Sequence, residues 1–143
     1  MTPEERAVLA ANDAFYSAFR DRDSAAMEAL WAQDAPVACI HPGWSPLRER
    51  ELIMRSWRAI FRGDPRQDII VEDASPAVLG TVAYVICYEH LLGPGGDDAG
   101  TLVATNLFVR EAGRWRIAHH QAGPVAPQEE EDDPEPPPPG MLN

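Results

Sequence analysis

The chain has 143 residues, of which 45% are hydrophobic, and this length and composition suit one folded domain with its own core. Its net charge of −11 opposes binding to nucleic-acid phosphates and to anionic membrane surfaces, so we expect neither as a partner. The acidic N-terminus differs from a secretory signal and no apolar run is long enough to span a bilayer, so the predicted location is the cytoplasm.

The N-terminal part predicts two helices and a short strand. The segment from Thr2 to Glu5 has the form of a capping box with proline at the first helical position, and apolar residues then recur at steps of three and four. Asp23 is the expected N-cap of a second helix, which Pro36 ends. The apolar segment 37–41 predicts a strand that turns at Pro42-Gly43.

The next segments predict a third helix and a run of strands. The helix is expected from Arg48 to Arg62, and the strands at 68–73, 78–91, 102–110 and 115–121. Because helices come first and antiparallel strands follow, the predicted fold class is α+β, with three N-terminal helices packed on a strongly curved, mostly antiparallel sheet. A sheet bent around one helix leaves a cleft between them.

The C-terminal segment differs from the rest in composition. We place the domain at 1–124 and a disordered acidic, Pro-rich tail at 125–143, since residues 127–140 contain no apolar side chain to bury. A solubilising tail and a Pro-rich docking motif both fit this composition, although the segment lacks the basic flanks typical of such motifs.

Four segments carry a family resemblance: Phe15 to Phe19 with Asp23, Leu30 to Ala35, Cys39 to Trp44, and the hairpin from Ala104 to Gln121. Together they resemble the SnoaL-like (polyketide-cyclase-like) branch of the ketosteroid isomerase / nuclear transport factor 2-like superfamily, over residues 3–124. The resemblance implies a cone-shaped, barrel-like fold with a pocket at its wide end, and a homodimer formed through the outer face of the sheet. Because this superfamily contains enzymes, binding proteins and oligomerisation modules, the resemblance leaves the function open.

The resemblance also suggests catalytic residues. His41 precedes a proline at the end of the first strand, where ketosteroid isomerases place an Asp-Pro base, and a histidine can move protons near neutral pH. His41 fits equally a residue that lines the pocket without catalysis, or one that supports the turn. The isomerase's oxyanion tyrosine falls at Phe15, whereas Tyr16 is expected to point about 100° away on the helix. The isomerase's late-strand aspartic acid falls near Thr105 or Asn106, and Asn106 can donate a hydrogen bond without an unusual pKa.

Alternation along the last strand decides which histidine faces the pocket. His119 and His120 point to opposite faces, and Trp115 and Ile117 are expected on the His119 face. By resemblance, Asn106 and His120 face the pocket and His119 faces the dimer partner, although a shift of one residue would exchange the two histidines. A histidine satisfied by cross-strand partners is the alternative interpretation for either one.

Aromatic side chains are the predicted ligand-binding residues: Phe15, Phe19, Trp44, Trp57, Tyr88 and Phe108. Trp44 fits both a roof over the pocket and a surface anchor for the third helix. We expect no metal and no cofactor, because the histidine and cysteine spacings match no ligand motif. Cys39 and Cys87 lie in apolar runs and are expected to be buried free thiols.

These features predict a small-molecule-binding protein for a compact apolar or aromatic ligand. Where the protein is an enzyme, the predicted chemistry is cofactor-free acid–base catalysis, as in an isomerase, dehydratase or cyclase. His41 would then move the proton, while Asn106 and His120 would polarise an oxygen. The alternative is a non-catalytic homodimerisation or hub module with a vestigial pocket, which the missing tyrosine donor favours.

Overall fold

Three helices and five strands make up the described part of the chain, residues 1–63 and 67–126 of a computed structural model. The predicted tail lies outside the described residues from position 127 onward. The elements, in chain order, are α1 (Pro3–Arg20), α2 (Ser24–Leu30), β1 (Ala38–Ile40), α3 (Arg50–Arg62), β2 (Asp68–Leu79), β3 (Val82–Leu92), β4 (Asp98–Glu111) and β5 (Arg114–Pro124).

The first two helices begin at the residues that the sequence indicates. The Thr2 hydroxyl accepts a hydrogen bond from the Glu5 backbone N–H at 3.1 Å, and the Glu5 carboxylate accepts one from the Thr2 N–H at 3.0 Å. Asp23 caps α2 by accepting a hydrogen bond from the Ala26 N–H at 3.0 Å. The third helix begins at Arg50, two residues later than predicted, and has no side-chain cap.

The five strands form one sheet in the order β1-β5-β4-β3-β2. β1 pairs parallel with β5, and the other neighbours are antiparallel. Helix α1 packs against β2, β3 and β5, so the sheet wraps around this helix. The predicted α+β class, with three helices on a curved and mostly antiparallel sheet, is confirmed.

The predicted strand 78–91 spans the last two residues of β2 and most of β3, and β2 also takes in the predicted strand 68–73. Gly80 has a φ of +71° and forms a tight turn with Thr81, which ends β2 at Leu79 and starts β3 at Val82. The residues on both sides of the turn are apolar, so the sequence pattern did not show a break between the strands. Gly80 was the signal for the turn, since glycine adopts positive φ without strain.

A bulge in β5 corrects the predicted facing of its residues. Leu107 pairs with His119 and Phe108 pairs with Ile117, so Ala118 is an extra residue between two paired positions. Trp115 and Ile117 are consequently buried on the same side as His120. Their predicted place on the His119 face was wrong, because strict alternation assumes a strand without a bulge.

The core lies between the helices and the concave face of the sheet. Its most deeply buried side chains come from every layer and include Val8, Trp31, Ile53, Val85 and Phe108. Both cysteines are free and buried. Across residues 1–63 and 67–126, no helix is long and apolar enough to cross a membrane.

Candidate functional site

A cavity of about 280 Å³ opens between α1, α3 and the concave face of the sheet. Aromatic rings form much of its wall: Phe15, Tyr16, Phe19, Trp44 and Trp57. The polar residues in the wall are His41, Gln67, Glu89 and His120. An apolar cavity of this size with a few polar groups suits a compact organic ligand.

His41 lies at the end of β1 and has a defined tautomer. Its Nε2 is 2.8 Å from the Ser56 hydroxyl, and that hydroxyl donates its own proton to the Ile53 carbonyl at 2.6 Å. Ser56 therefore accepts the hydrogen bond, His41 carries its proton on Nε2, and Nδ1 holds the lone pair. Burial lowers the pKa of His41 to about 4, so the ring is neutral at pH 7.

Two tryptophan rings flank His41. The ring centroids of Trp44 and Trp57 are 4.8 and 4.7 Å from that of His41, and both contacts are edge-on. Trp57 is buried, whereas Trp44 is 47% exposed and lies at the mouth of the cavity. The Cys39 sulfur is 3.7 Å from His41 Nε2, and burial raises the pKa of this thiol to about 12, which keeps it protonated.

His120 has the opposite tautomer. Its Nδ1 is 2.5 Å from the Asn106 amide oxygen, which can only accept, so the imidazole proton lies on Nδ1. No described residue hydrogen-bonds to Nε2, and this nitrogen opens to the cavity. Burial, and secondarily the nearby His41 and His119, lower the pKa of His120 to about 3.

A chain of hydrogen bonds continues behind the cavity wall from Asn106. Its amide N–H groups donate to the Asn12 side-chain oxygen at 2.8 Å and to the Tyr16 oxygen at 3.1 Å. The Tyr16 hydroxyl donates in turn to Glu89 Oε2 at 2.5 Å. Every donor therefore points from His120 toward Glu89, and these contacts fix the orientation of the Asn106 amide.

Glu89 is a buried carboxyl group with one oxygen still available. It is 3% exposed, and only Oε2 receives a hydrogen bond from the described residues. Burial raises the pKa of Glu89, and the hydrogen bond from Tyr16 opposes that shift without cancelling it. Since Tyr16 donates to Oε2, a proton held by Glu89 lies on Oε1, and Glu89 belongs to the cavity lining.

Comparison with known proteins identifies the family. Residues 8–127 match the family model of the SnoaL-like domain. The chain belongs to the SnoaL-like family.

Relatives of this SnoaL-like protein carry different assignments. A solved structure from Streptomyces avermitilis, a proposed dehydratase of the NTF2-like family, is 33% identical with a TM-score of 0.80 over 88% of this chain and 100% of that one. A proposed calcium/calmodulin-dependent protein kinase type II association domain from Thiobacillus denitrificans is 36% identical with a TM-score of 0.76, over 87% and 96% of the two chains.

A plant protein also contains a related segment. F-box protein SKIP8 of Arabidopsis thaliana is 29% identical over 117 residues, which is 82% of this chain and 49% of that protein. The chain thus spans about half the length of this curated relative.

The cavity brings together most of the predicted site residues of this SnoaL-like chain. Those that line it are His41, His120, Phe15, Phe19, Trp44 and Trp57. Asn106 is fully buried behind the wall and reaches the cavity only through His120 and Tyr16.

Two predicted ligand-binding residues lie elsewhere. Tyr88 alternates with Cys87 and Glu89, which face inward, so its side chain lies on the outer face of the sheet beside His90. Phe108 faces inward but packs in the core below the cavity and is not part of its lining. Neither residue is positioned to contact a ligand in this cavity.

Tyr16 and Glu89 are functional candidates that the sequence reasoning missed. Tyr16 was expected to point away from the site, but Phe15 and Tyr16 both face the cavity because the sheet curves around α1. Glu89 occupies an inward position of β3, two residues after buried Cys87. A carboxylate in an otherwise apolar inward alternation was the signal that could have found it.

The described ranges, 1–63 and 67–126, contain no group of three histidine, cysteine or acidic side chains arranged to hold a metal ion.

Proposed function

We propose that the cavity binds a compact, largely apolar ligand and that the protein catalyses a proton transfer on it without a cofactor, as in an isomerisation, dehydration or cyclisation. One observation carries the proposal. His120 Nε2 and Glu89 Oε1 both lack a hydrogen-bond partner among the described residues, and both belong to the lining of the same apolar cavity. One is a proton acceptor and the other a proton donor.

The hydrogen-bond chain explains how two weak groups can act together. An imidazole with a pKa of about 3 is a weak base while Glu89 is protonated. When Glu89 gives its proton to the ligand, the negative charge that it acquires favours a positive charge on His120. The chain through Tyr16 and Asn106 strengthens this coupling, since all of its donors point toward Glu89.

The roles follow from these contacts. His120 Nε2 takes a proton from the ligand, and Glu89 Oε1 supplies one to an oxygen or nitrogen of the ligand. His41 Nδ1 is a second acceptor, with its ring centroid 6.5 Å from that of His120. Asn106 is a positioning residue, because it holds the His120 tautomer and touches no ligand.

Substitution of the two groups tests this proposal. We expect His120→Gln and Glu89→Gln each to lower turnover of any accepted substrate at least a hundredfold, since positioned acid and base groups contribute factors of about 10² to 10⁴. Binding, followed by quenching of Trp57 and Trp44 fluorescence, should change much less. His90→Gln, on the outer face, is the matched control. Full turnover by His120→Gln would exclude its role as base.

A hub module is the second candidate, and the outer face of the sheet favours it. Ile70, Ile86 and Val103 are 50%, 44% and 38% exposed there, and such apolar side chains suit the proposed homodimer interface. The relative assigned as a kinase association domain points in the same direction. Light scattering of the wild type and of Ile86→Arg tests the dimer. A ligand-free dimer without turnover in any screen would favour the module over the enzyme.

A further inference from the structure

The charges around the cavity are of one sign. Among the described residues that line it, Glu89 is the one ionisable carboxyl group and there is no lysine or arginine. The two imidazoles in the wall are neutral at pH 7 because burial lowers their pKa values. An anionic ligand would therefore meet a carboxyl group and find no described cation in the wall to balance its charge.

The hydrogen-bonding atoms still available in the cavity wall favour a ligand that donates hydrogen bonds. The N–H of His41 donates to Ser56 and the N–H of His120 donates to Asn106. The second ring nitrogen of each histidine can therefore only accept a hydrogen bond. Glu89 Oε1 also accepts once the carboxyl is ionised. A ligand with only acceptor atoms would leave His120 Nε2 unpaired in a buried site, and would leave His41 Nδ1 with only the Cys39 sulfur at 3.9 Å, which is unfavourable.

The aromatic rings favour positive charge. Phe15 and Phe19 each pack edge to face with Trp57, and Trp44 stands at the cavity mouth. Aromatic faces attract organic cations, and the attraction is stronger where water is excluded. The net charge of the chain, −11, draws cations toward the protein from a distance.

We propose that this cavity selects a compact organic amine, with its protonated nitrogen against Glu89 and the imidazole acceptors and its apolar part among the aromatic rings. This inference deepens the proposed ligand binding and rests on it, but it does not depend on turnover.

The proposal has a proton balance that can be measured. The amine arrives as an ammonium ion and favours the ionised form of Glu89, so a proton that burial keeps on Glu89 is released to solvent and the complex contains a carboxylate and an ammonium group. Tyr16 from α1 and Cys87 on β3 are the titratable neighbours of Glu89, and burial raises the pKa of both, so neither supplies the proton. The strand residues paired with Glu89, Val71 and Leu102, do not ionise.

Calorimetric titration with three probes of equal size tests the inference: benzylamine, benzyl alcohol and benzoate. We expect benzylamine to bind at least tenfold more tightly than benzyl alcohol, and benzoate to bind most weakly. Titrations in two buffers of different ionisation enthalpy, repeated from pH 7 down to pH 4.5, should show a pH range in which benzylamine releases protons and benzyl alcohol releases none. Equal binding of the amine and the alcohol, tighter binding of benzoate, or no binding of any probe would overturn the inference.

Two variants separate charge recognition from loss of structure. Glu89→Gln should remove the preference for benzylamine and the proton release while benzyl alcohol still binds. Glu72→Gln removes an acidic group from the outer face and should leave all three affinities unchanged. If Glu89→Gln keeps the amine preference, the inference is wrong. Amine selectivity without turnover would count against the proposed enzyme alone, and turnover of a neutral ligand without amine selectivity would count against this inference alone.

Discussion

The two faces of the sheet carry the same kinds of side chain in opposite environments. On the inner face Glu89 and His120 are each less than 5% exposed and are linked through Tyr16 and Asn106. On the outer face Glu72 and His90 form a direct contact of 2.8 Å, with side chains 62% and 32% exposed. Water screens the outer pair, whereas burial shifts the protonation of the inner groups.

The comparison teaches that position on a strand decides the chemistry of a residue here. Glu89 and His90 are neighbours on β3, and His119 and His120 are neighbours on β5. In each pair one member lies in the cavity wall and the other on the outer face. A single step along the backbone therefore separates a side chain in the cavity wall from one outside it.

The largest expected effect comes from breaking the inner network at its centre. Asn106→Leu removes the partner of the His120 N–H, of Asn12 and of Tyr16, and leaves these buried groups unpaired. We expect a loss of about 4 kcal/mol in the free energy of unfolding, since each unpaired buried group costs about 1–3 kcal/mol. Urea denaturation measures it. Thr105→Ala, on the outer face of the same strand, is the control, and a loss below 1 kcal/mol for Asn106→Leu would contradict the network.

Lowering the pH should destabilise the folded protein through the buried residue His120 on the inner face. Its folded-state pKa of about 3 lies below the ordinary value of 6.5, so below pH 6.5 the unfolded chain binds a proton that the folded chain refuses. Stability from this residue is complete above pH 6.5 and is lost as the pH falls toward 3. The loss is about 1.4 kcal/mol per pH unit. His41 acts in the same direction down to about pH 4.

The contribution of Glu89 to the pH dependence of stability has the opposite sign. Its raised pKa makes the folded state hold a proton as the pH rises above 4.5. His120→Gln removes the contribution of His120 and keeps that of Glu89. Stability measured by denaturation between pH 7 and 4.5 should therefore fall less steeply in this variant than in the wild type. Two parallel curves would show that His120 is protonated in the folded protein.

A smaller change is expected at Tyr16. Tyr16→Phe removes the donor to Glu89 and one acceptor of Asn106, so we expect a loss of about 2 kcal/mol in stability. The pKa of Glu89 should rise further, because the hydrogen bond from Tyr16 lowers it in the wild type. Carbon-13 NMR titration of the glutamate carboxyls would follow that shift, and an unchanged titration would rule out the contact.

The smallest effect on stability is expected for the pair of Glu72 and His90 on the outer face. Glu72→Gln should change stability by no more than about 0.5 kcal/mol, since exposed ion pairs contribute little and salt screens them. Thermal unfolding at low and high salt checks this. A loss as large as that of Tyr16→Phe would remove the contrast between the two faces.

The sequence predicted the order of the elements better than the detail of the site. Capping residues indicate where the first two helices begin, and Thr2 and Asp23 make the expected hydrogen bonds. The facing of Tyr16 depends on how far the sheet curves around α1, which helical periodicity does not encode. The bulge at Ala118 depends on the pairing of two strands, and alternation within one strand cannot locate it.

That bulge divides β5 into two halves with separate registers. Trp115 and Ile117 are fixed by the core on one side of Ala118, while His120 is fixed by the cavity on the other. Removing Ala118 would leave Phe108 paired with Ile117 and Leu107 paired with His119 in regular alternation, so His120 would still face the cavity. The bulge therefore absorbs one extra residue between the core half and the cavity half of β5 without changing which histidine lies in the cavity wall.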